Sequence, residues 1–286
     1  MKAKIKVLQP GLYSSIQDLG RFGFGKFGVP QSGVMDSYSA KMCNLLLNNS
    51  EEKPVLEITQ MGPKLEFNES SKIAICGALI NPKLNEKAVF NNQVIQVKNG
   101  DVLSFGKLEF GCRAYLGISG GFISDIILNS SSWYEGITHQ FRLLKGDELF
   151  FNSSSTFDNI TNSGIKVKTD YLKEQIVPVY IGPEFYLLSK FQRTDLLSSI
   201  FSIDKKNNRM AVQLQEPLLN ELRPIITGPV LPGTVQLTPS GNLIVLMRDC
   251  QTTGGYPRIL HLSEEGINVL SQKLADDPIK FSLLNP

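Results

Sequence analysis

A mainly β fold in two domains with a few short helices is predicted by three observations. Short apolar runs with period-2 alternation recur at residues 5–8, 55–58, 73–75, 94–97, 113–118, 176–181 and 243–247, the spacing of half-buried strands. Gly, Pro, Asn and Asp punctuate them, and twice a Gly-Asp turn feeds a strand: Gly100-Asp101 before 102–105, and Gly146-Asp147 before 148–151. Helical periodicity is confined to three places: 37–47 behind an Asp36 cap, 185–191 after Pro183, and 263–274 with Glu264 and Glu265 in its first turn. The stretch 152–164, rich in Ser, Thr and Asn, reads as a surface linker. It divides the chain into an expected N-terminal β domain, 1–165, and a C-terminal one, 166–286, with exchange of edge strands between them left open.

Composition narrows the function. With 286 residues and 42% apolar side chains, the chain can bury a substantial core. Lys and Arg number 29 against 27 Asp and Glu, with no long run of one sign, so no nucleic-acid partner is expected. The longest apolar stretch, 73–80, is broken by Gly77, and charged residues 1–7 lead into no apolar segment; neither export nor a membrane partner is expected, and the cytoplasm is the expected location. Cys43, Cys76, Cys112 and Cys250 lie far apart, and only His139 and His261 accompany them, so no metal site is expected.

Two motif matches fail on chemistry. Residues 23–28 spell G-x-G-x-x-G and 20–26 spell G-x-x-x-x-G-K. Phe27 stands where a phosphate loop needs Ser or Thr, and Pro30 and Gly33 delay any helix, which points to a glycine-rich loop shaped for another ligand. Residues 117–121 match G-x-S-x-G around Ser119, but neither histidine has an evident acidic partner, so a strand ending in a Gly-Gly turn is the simpler account.

Two other segments carry more chemistry. The first, 11–36, combines turn formers and hydrogen-bonding groups, among them Gln17, Asp18, Arg21, Ser32 and Asp36, with few apolar anchors. The second, 229–256, delivers a polar cluster directly after the apolar strand 243–247. In it Asp249 offers an acceptor or base, and Gln251 both donor and acceptor. Thr252 and Thr253 bring hydroxyls, while Gly254-Gly255 expose backbone N–H groups suited to an anion or oxyanion. Such a set fits a small amide or carboxylate.

Together these segments resemble the family of 5-oxoprolinase C subunits, also called allophanate hydrolase subunit 2-like or biotin-dependent carboxyltransferase-like. The resemblance rests on Gln17-Asp18-x-Gly20-Arg21, Gly28-Val29-Pro30-x-Ser32-Gly33-x-Met35-Asp36, Asn208-Arg209-Met210, Pro232-Gly233-x-x-Gln236 and Asp249-x-Gln251-Thr252-Thr253-Gly254-Gly255-Tyr256-Pro257. It implies β-barrel-like domains including a cyclophilin-like barrel, and two companions: a B-like partner of cyclophilin fold and an A-like partner, named for the other two components of 5-oxoprolinase. The complex would open 5-oxo-L-proline to L-glutamate with ATP as cofactor at the level of the complex. On that resemblance Asp249, Thr253, Gly254 and Gly255 are the expected catalytic set. Gln17, Asp18, Arg21, Ser32, Asp36, Arg209, Gln236, Gln251, Thr252 and Tyr256 are the expected substrate-binding set, with Arg21 or Arg209 on the substrate carboxylate. The resemblance also permits carboxyl transfer to a urea-like amide, with biotin arriving on another protein because no Ala-Met-Lys-Met-like site is present. A third possibility it permits is a regulatory protein that binds a B-like kinase inhibitor.

Overall fold

The computed structural model describes residues 3–152 and 165–284. Residues 153–164 of the expected linker lie outside them. Two compact units emerge: Met1–Gly20 with Asp36–Leu172, and Arg21–Met35 with Lys173–Pro286. Residues 21–35, placed by sequence in the N-terminal domain, thus group with the C-terminal unit. The reason is visible in their backbone bonds: Ser32 N donates to Arg248 O at 2.9 Å, while Gly33 O and Val34 O accept from the guanidinium groups of Arg209 and Arg248.

Unit 1 wraps one core with two sheets. The five-stranded sheet runs Tyr13–Gln17, Val55–Thr59, Phe110–Ile118, Ser71–Leu79, Val94–Val97. The other is seven-stranded, with Ala3–Gln9 lying between Glu148–Phe151 and Lys64–Phe67. Alternation decides which side chains are buried: in Ala3–Gln9 the buried residues are Ala3, Ile5 and Val7. They join Phe67, Ile73, Leu116 and Phe151 in a single cluster, each large side chain contributing about 1.5–3 kcal/mol. Strand Ser71–Leu79 departs from alternation because helix Ser37–Leu46 covers its other face: Cys43 Sγ donates to Ala74 O at 3.0 Å. That helix begins as its sequence suggests, with Asp36 accepting from Ser39 N at 3.0 Å.

Unit 2 is a closed seven-stranded barrel. Its ring order is Ile176–Ile181, Arg258–Leu262, Thr234–Leu237, Leu243–Leu246, Ala211–Leu214, Phe201–Asn207, Pro278–Leu283. Parallel pairing of Val177 with Phe281 closes the ring, so no long edge is left unpaired. The expected helix over 185–191 is instead a single 3₁₀ turn, Phe185–Leu187, followed by helix Lys190–Ser198. Ser189 sets the boundary through a capping box with Gln192, which starts the α-helix later than periodicity suggested. Helix Glu264–Ser271 starts on the Ser263 cap, and ends before the expected 274. Among the described residues no helix is long and apolar enough to cross a membrane.

Candidate functional site

In unit 2 the polar turn after strand Leu243–Leu246 and the glycine-rich loop from Arg21 open onto one cavity of about 730 Å³. Arg21, Gly23, Lys26 and Gln31 line it from the loop, and Cys250, Gln251, Thr252 and Thr253 from the turn. A short ribbon completes the wall: Gly228–Pro229 pairs with Thr253–Gly254, and Val230 N donates to Thr252 O at 3.1 Å. Arg258 pins this ribbon by donating to Pro229 O at 2.9 Å while Glu184 grips its guanidinium at 2.8 and 2.9 Å. The guanidinium beside Glu184 holds that carboxyl below the usual range.

Electrostatically the wall has one sign. Arg21 and Lys26 are the charged residues among the described lining, which includes no Asp, Glu or His. Cys250 adds no anion, since burial, and next the neighbouring Asp249, push its thiol up to about 12. Arg21 is 1% exposed, so its charge acts where water screens it weakly. A pocket of this size with hydroxyl, amide and two cationic groups suits an anionic ligand with further hydrogen-bonding atoms.

Asp249 and Arg209 do not line the cavity. They form a buried bidentate pair, Nε to Oδ2 at 2.7 Å and Nη2 to Oδ1 at 3.1 Å, and Arg209 Nη2 also donates to Gly33 O at 2.7 Å. Each charge has the other as its partner, and neither side chain is among the residues that line the cavity. The pair ties to the loop through Arg209 Nη2 and Gly33 O; of the two arginines considered from sequence, Arg21 is the one on the cavity wall. Alongside, Arg248 donates to Val34 O at 3.1 Å and pairs with Glu264.

The other expected residues divide by unit. Thr253 lines the cavity, Gly254 lies behind it in the ribbon, Gly255 O accepts from Ile225 N at 2.9 Å, and Tyr256 is 39% exposed. Ser32 is fully buried with φ of 55°, the left-handed region, and its Oγ has no hydrogen-bond partner among the described residues. Gln236 is 2% exposed on strand Thr234–Leu237.

Gln17, Asp18 and Asp36 belong to unit 1, each with a structural task there. Gln17 Nε2 donates to Ser15 Oγ and Trp133 O. Asp18 accepts from Ser130 Oγ at 2.7 Å, Ser132 Oγ at 2.6 Å, Ser131 N at 2.6 Å and Gly20 N at 2.8 Å. Asp36 caps its helix and accepts from Tyr171 Oη at 2.6 Å.

Sequence reasoning singled out the segments that contain Lys26, Gln31 and residues 229–232 without naming those residues as part of the site, and it missed Thr227 and Gly228. The signal for the first two was the Gly-x-Gly-x-x-Gly loop itself. Its Gly25–Phe27 core is one 3₁₀ turn, and the next helix starts only at Ser37, so the loop does not lead into a helix-capped phosphate cradle. Gly117 of the Gly-x-Ser-x-Gly match is a packing glycine: a Cβ there would stand 2.9 Å from Cys43 Sγ. Gly120 and Gly121, both at φ of 81°, turn the chain into strand Phe122–Ile123 rather than a helix.

Residues 27–283 match the family described as carboxyltransferase domain, subdomain A and B, and the chain belongs to that family. Among individual relatives, it is 32% identical to the 5-oxoprolinase C subunit of Escherichia coli, an alignment covering 97% of this chain and 90% of that one. Identity to the Haemophilus influenzae protein of the same name is 30%, covering 98% and 91%. The solved urea amidolyase of Kluyveromyces lactis superposes on the whole chain with a TM-score of 0.87 at 28% identity, although this chain spans only 19% of that one. For the K. lactis urea carboxylase the values are 0.87, 29% and 28% of that chain.

Proposed function

We propose that this chain is one component of an ATP-dependent 5-oxoprolinase, which hydrolyses 5-oxo-L-proline to L-glutamate together with A-like and B-like partners. The observation that carries this reading is the cavity wall: two cations, Arg21 and Lys26, beside the amide and hydroxyl groups of Gln31, Gln251, Thr252 and Thr253. A lactam bearing a carboxylate offers what that wall complements. The near end-to-end similarity to 5-oxoprolinase C subunits supports the same substrate class.

In the reaction, water adds to the ring carbonyl carbon, the ring C–N bond breaks, and the departing nitrogen takes a proton. ATP drives this by phosphorylating the lactam oxygen before water adds, with ADP released at that point and phosphate leaving as the carboxylate forms. This chain's part is to hold the lactam: the charges of Arg21 and Lys26 draw its carboxylate to the wall, and the Thr253 hydroxyl and neighbouring backbone N–H groups face the carbonyl, where negative charge develops. The test is glutamate release from 5-oxoproline by the reconstituted three-component complex. Arg21→Met is expected to raise KM by about 10–100-fold through loss of a charge-assisted pair; an unchanged KM overturns the assignment.

A second reading, carboxyl transfer to an amide with biotin on another protein, is favoured by the family description and by the likeness to urea carboxylase. Avidin separates the two: the 5-oxoprolinase reading requires full turnover in an avidin-treated mixture, and carboxyl transfer requires its loss.

A further inference from the structure

The unit 2 cavity carries apolar side chains that the lactam reading leaves unused. Phe22 and Leu231 line it, and Phe27 and Ile226 each adjoin a lining residue. These four large side chains are between 62% and 95% exposed. Ile226, the most exposed of them, stands on a fastened segment: Ile225 N donates to Gly255 O at 2.9 Å, and Gly228–Pro229 pairs with Thr253–Gly254. Large apolar side chains held in water around one polar pocket fit a surface that another protein covers. The charge of the wall says what that protein brings. Arg21 and Lys26 meet no Asp, Glu or His among the described lining. Lys26 Nζ rests over the Phe27 ring, 5.0 Å from its centroid, with no carboxylate partner among the described residues. A cationic wall without a base is complementary to a carboxylate presented from outside.

Resting on the 5-oxoprolinase reading above, we propose that this rim docks one of the companion proteins, through a segment in which an Asp or Glu is flanked by apolar residues. The apolar residues cover Phe22, Phe27, Ile226 and Leu231. The carboxylate enters the cavity beside Lys26 and is the base for the attacking water. A second copy of this chain is the poorer occupant, because the same rim on both sides sets cation against cation.

The reconstituted three-component complex tests this. Hydrogen exchange on peptides covering residues 22–28 and 225–232 should slow on assembly. A zero-length carbodiimide should join Lys26 to an Asp or Glu of a companion, read by mass spectrometry of the digested complex. Ile226→Ser with Leu231→Ser is expected to weaken assembly about 100-fold, whereas Phe191→Ser with Leu219→Ser, also exposed but off the cavity lining, should leave it unchanged. Lys26→Arg should assemble like wild type, and Lys26→Glu about tenfold more weakly. A complex that forms and releases glutamate with 22–28 and 225–232 unprotected, or that both serine pairs weaken alike, overturns the docking surface and leaves the 5-oxoprolinase reading standing. Protection of the rim with no link from Lys26 to a companion carboxylate overturns the incoming base. Self-association of the isolated chain that Ile226→Ser with Leu231→Ser abolishes gives the rim to a second copy and overturns the inference. Companions that do not bind, or a complex that releases no glutamate, overturn both.

Discussion

Replacing Asp249 by Asn tests whether the Arg209–Asp249 pair holds the loop that carries Arg21 and Lys26. The pair is bidentate and its residues are only 7% and 8% exposed. Asn keeps the shape and one acceptor but turns an NH₂ group toward a guanidinium N–H, and it removes the carboxylate charge paired with Arg209. Removing one partner of such a pair costs about 3–5 kcal/mol; with one hydrogen bond retained, the lower end, about 3 kcal/mol, applies. At about 2–4 °C per kcal/mol for a chain this long, the melting temperature should fall by about 6–12 °C. The sole tryptophan, Trp133, lies in unit 1 and is a poor reporter. Hydrogen exchange on peptides covering residues 28–36 and 205–212 reads the local effect directly: both should exchange faster, because Gly33 O loses the anchored Arg209 donor. On the 5-oxoprolinase reading, glutamate release by the assembled complex should drop while co-purification of the partners persists. A double Arg209→Met, Asp249→Asn variant should cost less than the sum of its singles, since no orphaned charge remains. Unaltered exchange over 28–36, strict additivity in the cycle, or wild-type turnover would each refute the positioning role.

Two further outcomes follow from the same structure. Burial lowers the His261 pKa from its ordinary value of 6.5, so between the folded and unfolded values the unfolded chain binds the extra proton. His261 thus contributes stability above about pH 6.5 that is lost as pH falls toward the lower folded value; urea melts from acidic to neutral pH should show this slope in wild type and a shallower one in His261→Gln. Ser119→Ala should leave turnover of the complex unchanged, because Gly117, Gly120 and Gly121 shape packing and a turn there; a loss beyond about tenfold would restore the nucleophile reading.

The legible parts of the fold were those decided locally. Strands Val94–Val97, Val102–Phe105, Glu148–Phe151 and Ile176–Ile181 fall where alternation and Gly-Asp turns placed them, and the helix behind Asp36 begins at its cap. Strands Phe201–Asn207 and Pro278–Leu283 escaped, although they close the barrel. Pro278 and the charged run Asp204-Lys205-Lys206 blur their periodicity, and they pair with each other across nearly eighty residues. At the site, the polar turn 249–256 and the loop from Arg21 were both recognisable by residue type. Which of their charges faced the cavity was not, because Asp249 and Arg209 are forty residues apart in sequence and only the fold shows them neutralising each other.

That neutralisation changes what the site asks of its ligand. With Asp249 withdrawn, the described wall holds cations and neutral groups alone, and the lactam reading places no general base on this chain. The volume points the same way. About 730 Å³ lies in the range that encloses drug-sized molecules, and a single small lactam fills only a fraction of it, leaving residual water beside the bound ligand. Partial filling forfeits both desolvation and dispersion. On this reading the isolated chain binds 5-oxoproline weakly, and what completes the cavity comes from a companion protein that brings the base for the attacking water and excludes solvent. The affinity for 5-oxoproline should therefore rise on assembly by at least about tenfold, some 1.4 kcal/mol. Equal affinity in the free chain and in the complex would mean that this wall binds its ligand unaided, and that the excess volume serves another purpose.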